Sequence, residues 1–345
     1  MTRTTTTLLT AAAWAFMALA PAPARAWDAA GHRMITWLAL DGLPADAPAF
    51  LREPATRHMV GWQSAEPDRW RGVASGFLRH ENAPEHYLDI EDLSQFGLTL
   101  ESMPPLRARY IAAMAVSRHV HPELIGEPYN PKHDPAGDKE WPGFALHAAA
   151  EIHAKLISSF KTWRILSTIN EPSRAPQLEM AKANIQVQMG LLSHIVGDLA
   201  QPLHTTRHFN GWVGDNPREF TTAKTFHAYI DGGVIAHHQI NYAMLKPMQT
   251  YQAVVTDALN PWSELTAYVQ RSFDQVVPLY ELEKSGKLTQ DQGKAAISER
   301  LHSGADMLAA LYGSAWGASV INDKAVEEFK KYDGFSPAEL PADAR

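Results

Sequence analysis

The chain has 345 residues, 45% of them hydrophobic, no cysteine and a formal net charge of −7. A protein this acidic does not hold duplex nucleic acid by bulk charge, so any phosphate chemistry needs local cations. Without disulfides an exported fold rests on its core, on metals or on both.

Arg3, an apolar run over residues 8–20, Pro21-Ala22-Pro23 and Ala24-Arg25-Ala26 have the order of a bacterial export leader. It is too short and wrongly flanked to span a bilayer, and no later segment is long and apolar enough. Cleavage after Ala26 predicts an exported, periplasmic or secreted protein with a charge of −9, since Arg3 and Arg25 leave. It also makes Trp27 the first residue, with a free α-amine. That amine and its own carbonyl can chelate a cation, and His32 stands five residues on.

Further along, periodicity predicts helices over residues 103–120 and 147–165. Ile185, Met189, Leu192, Val196 and Leu199 form one helical stripe, with Val187, Leu191, His194 and Asp198 beside it. That helix is central by its breadth of apolar surface, and Pro202 ends it near Ala200 or Gln201. More helices are predicted over 225–238, over 247–283 with a break at Pro261, and over 289–311 with a break towards Ser319. Gly211, Gly214 and Asn216-Pro217 predict a small hairpin over 210–220. Residues 124–143 are a Pro/Gly-rich loop within a long insertion at about 91–174. The tail over 333–345 is expected to fray. Length admits one or two domains, but neither repeat nor linker interrupts 27–332. The fold class expected is all-α, a single multi-helix domain with at most that hairpin.

Two pairs, His194 with Asp198 and His227 with Asp231, are each four residues apart, which stacks both side chains on one helix face. One such pair is common by chance. Two pairs with His204 between them, plus Asp68, His86, His32 and the Trp27 amine, make a set rich in zinc donors. The chain has 16 histidines; His147, Glu151 and His153 form a loose helix cluster expected to be solvated, and His80, His208 and His237-His238 receive no role.

The order of these stretches resembles the trinuclear-zinc, single-strand-specific nucleases and 3′-nucleotidases of fungi and plants, a superfamily shared with bacterial zinc phospholipase C. The matching residues are Trp27-Asp28-Ala29-Ala30-Gly31-His32, Asp68, His86-Tyr87-Leu88-Asp89, the run from His194 through Asp198 and Pro202 to His204, and His227-Ala228-Tyr229-Ile230-Asp231. The resemblance implies three Zn2+ ions at the base of a cleft. Asp68, His86, His194 and Asp198 would hold one; Trp27 and His32 a second, with Asp198 bridging; His204, His227 and Asp231 the third. It further implies hydrolysis of single-stranded DNA or RNA by metal-activated hydroxide attack on phosphorus. Asp68 would align or deprotonate the water, Arg71 brace a phosphate oxygen, Tyr87 stack on a base and Asp89 bond its edge.

The chain departs from that pattern after His204. The family carries an aspartate and then Gly-Gly-Asn; here the run is Thr205-Thr206-Arg207-His208-Phe209-Asn210-Gly211-Trp212, with Asn210 or Asn216 as substitutes. Ahead of His227 stand Thr225-Phe226 in place of Asn-Leu. The metals should survive while the nucleotide pocket is remodelled. The alternative is a zinc phospholipase C acting on phospholipid head groups, although those enzymes end their ligand set with glutamate at shorter spacing. A third reading makes the zincs staples of a non-enzymatic binding bundle. The expected partners are a nucleic-acid or nucleotide substrate, with no stable protein partner and no transmembrane anchor.

Overall fold

The computed structural model describes residues 27–126 and 129–334. The expected leader, residues 1–26, and tail residues 335–345 lie outside the described residues. Among the described residues there are helices and turns and no strand, so the all-α expectation holds.

Asp28 starts helix α1 (Ala29–Asp41), its carboxylate accepting from Ala30 N and Gly31 N. Then come α2 (Pro54–Gln63), with proline in its first turn, α3 (Glu66–Trp70) and α4 (Gly76–Asn82). After two short 3-10 turns, Ala83–His86 and Ile90–Phe96, α5 (Arg107–Val120) leads into the loop that precedes α6 (Ala145–Ile169). Helix α7 (Ala175–Ala200) stops before Pro202, and Pro202–His204 turn in a 3-10 conformation. The chain continues through α8 (Phe226–Ala228), α9 (Val234–His238), α10 (Tyr242–Leu245), α11 (Trp262–Phe273), α12 (Val276–Lys284), α13 (Asp291–Ala318) and α14 (Asp323–Tyr332).

Helix α7 is the axis. It packs against α1, α2, α6 and α13, and all of residues 192–200 are buried. Ile35, Ile185, Leu192, Leu199, Leu301 and Leu308 are fully buried in one core. Each such side chain contributes about 1.5–3 kcal/mol by leaving water. The polar tips of buried tyrosines end on α7 carbonyls: Tyr268 Oη donates to Val196 O at 2.8 Å and Tyr312 Oη to Met189 O at 2.6 Å. Gly197 lets α1 close onto α7, since a Cβ there would sit 2.8 Å from His32 Nδ1. This approach holds the His32 ring against the polar side of the central helix.

Several expectations fail for reasons of packing and hydrogen bonding. Residues 249–261 are not helical, because side-chain carboxylates take their backbone donors. Asp306 accepts from Gln252 N and Ala253 N, and Glu264 from Thr256 N. The stretch breaks again between α11 and α12, just ahead of Pro278. The 210–220 hairpin does not form; Trp212 N donates to Thr221 O, but Asn216 holds both the N–H and the carbonyl of Phe220 with its side chain. His147 and His153 are buried, not solvated. His147 stacks on Tyr110 with Nε2 on Pro104 O, and His153 Nε2 meets Ser314 Oγ. Helix α6, inside the expected insertion, lies along α7 as part of the core. No helix among the described residues is long and apolar enough to cross a membrane.

Candidate metal centre

The buried C-terminal half of α7 presents His194 and Asp198 one turn apart, and the rest of the site assembles around them. Helix α1 brings His32, whose ring stacks on His194 with centroids 4.2 Å apart. Helix α3 brings Asp68, the turn after α4 brings His86, and the 3-10 turn after α7 brings His204. Backbone bonds tie two of these stretches together: Leu88 N donates to His204 O at 2.9 Å and Ile90 N to Thr205 O at 3.2 Å. The predicted helix over 225–238 is present but widens into a π-turn at Tyr229–Gly233. That turn carries Asp231, whose Oδ2 lies 3.2 Å from His227 Nε2. Such bulges inside helices are frequent at functional sites.

Three buried groups result: Asp68 with His86 and His194, His32 with His194 and Asp198, and His204 with His227 and Asp231. Within each, one donor atom per residue lies within 4.8 Å of the others. Asp198 stands at the junction of the first two. Its Oδ1 is 3.3 Å from His32 Nε2, while Oδ2 is 2.9 Å from His86 Nδ1 and 3.3 Å from His194 Nε2. Each carboxylate oxygen thus faces a different group. The groupings differ from the expected ones: His194 is the residue common to two of them, while Asp198 stands in the group of His32 and reaches His86 of the other through Oδ2.

Backbone carbonyls orient the imidazoles. Ser64 O lies 2.8 Å from His194 Nδ1 and His86 O lies 2.6 Å from His204 Nδ1, which turns both Nε2 lone pairs inward. His204 Nε2 then faces His227 Nε2 at 2.9 Å. Two imidazole lone pairs so close need a proton or a cation between them. Asp68 Oδ1, His86 Nε2, His32 Nε2, Asp198 Oδ1 and Asp231 Oδ2 are buried without a hydrogen-bond partner. Buried polar atoms are ordinarily satisfied, so this concentration of orphaned donors fits cation ligands. Nitrogen and carboxylate oxygen without sulfur suit zinc or a similar borderline cation.

The electrostatics agree. Burial lowers the pKa of His86 to about 3 and also lowers His32, His204 and His227, so these rings stay neutral and able to ligate. Burial also opposes charge on His194 and Asp198, but their mutual attraction wins, raising the former and lowering the latter. Burial pushes Asp231 well above the usual carboxylate range. That buried carboxyl needs a cation to ionise cheaply.

Trp27 is fully buried beside the centre, its indole Nε1 donating to Gly197 O at 2.9 Å. Its free amine depends on removal of residues outside those described. A cleft of about 1010 Å³ opens above His86, His204 and His227, with Arg71, Tyr87 and Asp89 in its walls. Arg71 Nε is 3.4 Å from Asp68 Oδ1. Tyr87 Oη donates to Asp138 O at 3.0 Å, and burial, with Asp92 and Glu91 nearby, raises the Asp89 pKa.

The run after His204 supplies Phe209 to the cleft, its ring edge-on to His227 at 5.9 Å. The Asn216 side chain is engaged with Phe220 and is not among the residues that line the cleft. Sequence reading missed Gln201. Its Nε2 donates to Asp231 Oδ1 at 2.7 Å and its Oε1 accepts from Leu203 N at 2.6 Å. Its place between the helix end and Pro202 was visible, but its side-chain direction was not. Neither a scan of protein-family models nor a search of curated proteins returned a match.

Proposed function

We propose that this protein is a zinc-dependent phosphodiesterase acting on single-stranded nucleic acid, with 3′-nucleotide hydrolysis at the same site. The observation that carries this reading is Asp198, one buried carboxylate whose two oxygens face His32 on one side and His86 and His194 on the other, with His86 itself lining an open cleft. With the leader removed, the Trp27 amine would join His32 and Asp198; Asp68, His86 and His194 would hold a second cation, and His204, His227 and Asp231 a third. Bound there, the cations would supply Lewis acidity that brings a water pKa towards about 7 and offsets phosphoryl charge.

The chain's own groups support the rest. The Asp68 carboxylate, held beside Arg71, would orient the attacking water. The Arg71 guanidinium would offer its N–H fork to a phosphate oxygen. Tyr87 and Asp89, both in the cleft wall, would hold an unstacked base against a ring and by its edge. Phosphodiester hydrolysis then delivers a phosphate monoester and an alcohol, with the proton from water passing to the leaving oxygen.

One observation favours the phospholipase reading. Val73, 56% exposed, lines the cleft, and Phe77, 92% exposed, sits between the lining residues Gly76 and Leu78, where a lipid surface would cover both. The deciding experiment uses leader-processed protein with its metal content counted. Single-stranded DNA, RNA, a 3′-nucleotide and a choline phospholipid are assayed side by side. Cleavage of the nucleic acids is expected; hydrolysis of lipid alone overturns the nuclease reading, and bound zinc without any hydrolysis supports the staple reading.

A further inference from the structure

Outside the cleft, α1 and α2 form a second groove of about 410 Å³. Arg33 and Trp37 line it from α1, and Ala55, His58, Met59 and Trp62 from α2. It shares no lining residue with the cleft. The four α2 residues stand at i, i+3, i+4 and i+7, so they form one stripe of that helix. All four are exposed, Met59 by 44% and Trp62 by 58%.

The groove is built rather than incidental. Gly61 lets α2 close onto α1, since a Cβ there would sit 2.8 Å from Trp37 Nε1. That nitrogen donates to Arg57 O at 3.1 Å, which fixes the indole, and His58 stands edge-on to it at 6.4 Å. At Trp62 the Arg69 guanidinium lies over the ring, 4.2 Å from its centroid, and donates to Trp62 O at 2.7 Å. Glu66 Oε2 accepts from Arg69 Nε at 2.8 Å, so those two charges answer one another. Arg33 differs. Half-buried in the groove, its guanidinium makes no hydrogen bond or ion pair among the described residues.

We infer that this groove is a docking site for an anionic phospholipid surface, with Met59 and Trp62 entering the headgroup boundary and Arg33 taking a lipid phosphodiester oxygen. The inference is independent of which phosphodiester the metal centre cuts. Three arguments carry it. Indole rings are amphipathic and favour the membrane–water boundary, and the Arg69 stem can lie along Trp62 while its head stays in water. A guanidinium without a counter-charge beside apolar side chains calls for an anion that arrives with its own apolar part, as a phospholipid does. The walls are two helices whose backbones are bonded internally, so the groove has no row of free amides on which an extended peptide could pair. The chain as a whole is acidic, with a net charge of −7, so approach to such a surface is confined to the face that carries the unpaired cation.

The test is flotation of leader-processed, metal-loaded protein with vesicles of phosphatidylcholine alone and of equimolar phosphatidylcholine and phosphatidylglycerol. The wild type should bind the anionic vesicles about fivefold or more tightly, the scale of one basic residue at a charged membrane, and salt should weaken that preference. Arg33→Gln should abolish the preference, Trp62→Ser should weaken binding about tenfold, and Trp62→Phe should retain most of it. Bound metal should match the wild type in all three variants. Equal binding to both vesicle types, or anionic binding that survives both Arg33→Gln and Trp62→Ser, overturns the site. A wild-type dimer that Trp62→Ser makes monomeric, without vesicle binding, gives the groove to a second copy and also overturns it. Diacylglycerol release is measured in the same samples; lipid hydrolysis with binding unaltered in both variants would place the lipid at the metal centre instead.

Discussion

Gln201 Nε2 holds Asp231 Oδ1 at 2.7 Å, which leaves Oδ2 of the same carboxylate facing His227 Nε2 at 3.2 Å. Partners of this kind orient ligands, and their loss typically costs about 10–100-fold in metal affinity. Gln201→Met should therefore weaken binding of a cation at the proposed site of His204, His227 and Asp231 by about that factor. Metal content after dialysis against graded chelator measures it. Retention of all cations at wild-type affinity would show that Gln201 does not position Asp231.

Asp198 turns Oδ1 to His32 and Oδ2 to His86 and His194, whereas Asp231 stands with His204 and His227 alone. Asp198→Asn should thus lower bound metal by more than Asp231→Asn does, by about two cations against about one, since a neutral amide is a poor ligand. Metal analysis of both purified variants decides this. Equal losses would mean that the two oxygens of Asp198 do not act on separate cations.

Arg71 pairs with Asp68 at 3.4 Å and lines the cleft. If it clamps the substrate phosphate with two N–H groups, Arg71→Lys keeps the charge but loses the fork. The expected outcome is a fall in kcat/KM of about tenfold or more, as for loss of one charge-assisted hydrogen bond, with metal content unchanged. A variant with full activity would reduce Arg71 to a partner of Asp68.

Much of the site was legible because its chemistry is local. The pairs His194 with Asp198 and His227 with Asp231 repeat at helical spacing, and Pro202 marks the end of α7 whatever surrounds it. The route by which they meet was less legible. The π-turn at Tyr229–Gly233, the approach of α1 permitted at Gly197 and the direction of Gln201 depend on tertiary packing. The helix predicted over 247–261 fails for the same reason, since Asp306 captures the backbone of Gln252 and Ala253 from 54 and 53 residues away. Helix α1 itself went unanticipated; its first residues were read as ligands rather than as a capped helix.

Trp27 tests the link between processing and the centre. A residue left ahead of it converts the amine to an amide, which loses the basic lone pair needed for chelation. Protein carrying one extra alanine should lose about one cation and most of its hydrolytic activity relative to the cleaved form. A fully metallated, fully active extended protein would remove Trp27 from the ligand set.

His153 gives a pH signature away from the metal centre. It is buried against Ser314, and burial depresses its pKa from 6.5 to about 4. As the pH drops through 6.5 the unfolded chain takes up a proton at this ring, while the folded chain does not until about 4. Stability contributed by the neutral ring is therefore full above 6.5 and lost progressively on acidification through that window. His153→Gln cannot titrate, so its denaturant midpoint should fall less than the wild type's between pH 7 and pH 4.5. Metal-stripped protein is the right sample, because both forms then share the same protonation of Asp198 and its neighbours and the difference isolates His153. Parallel pH profiles for the two proteins would mean that the buried ring carries a proton in the folded state as readily as in the unfolded one.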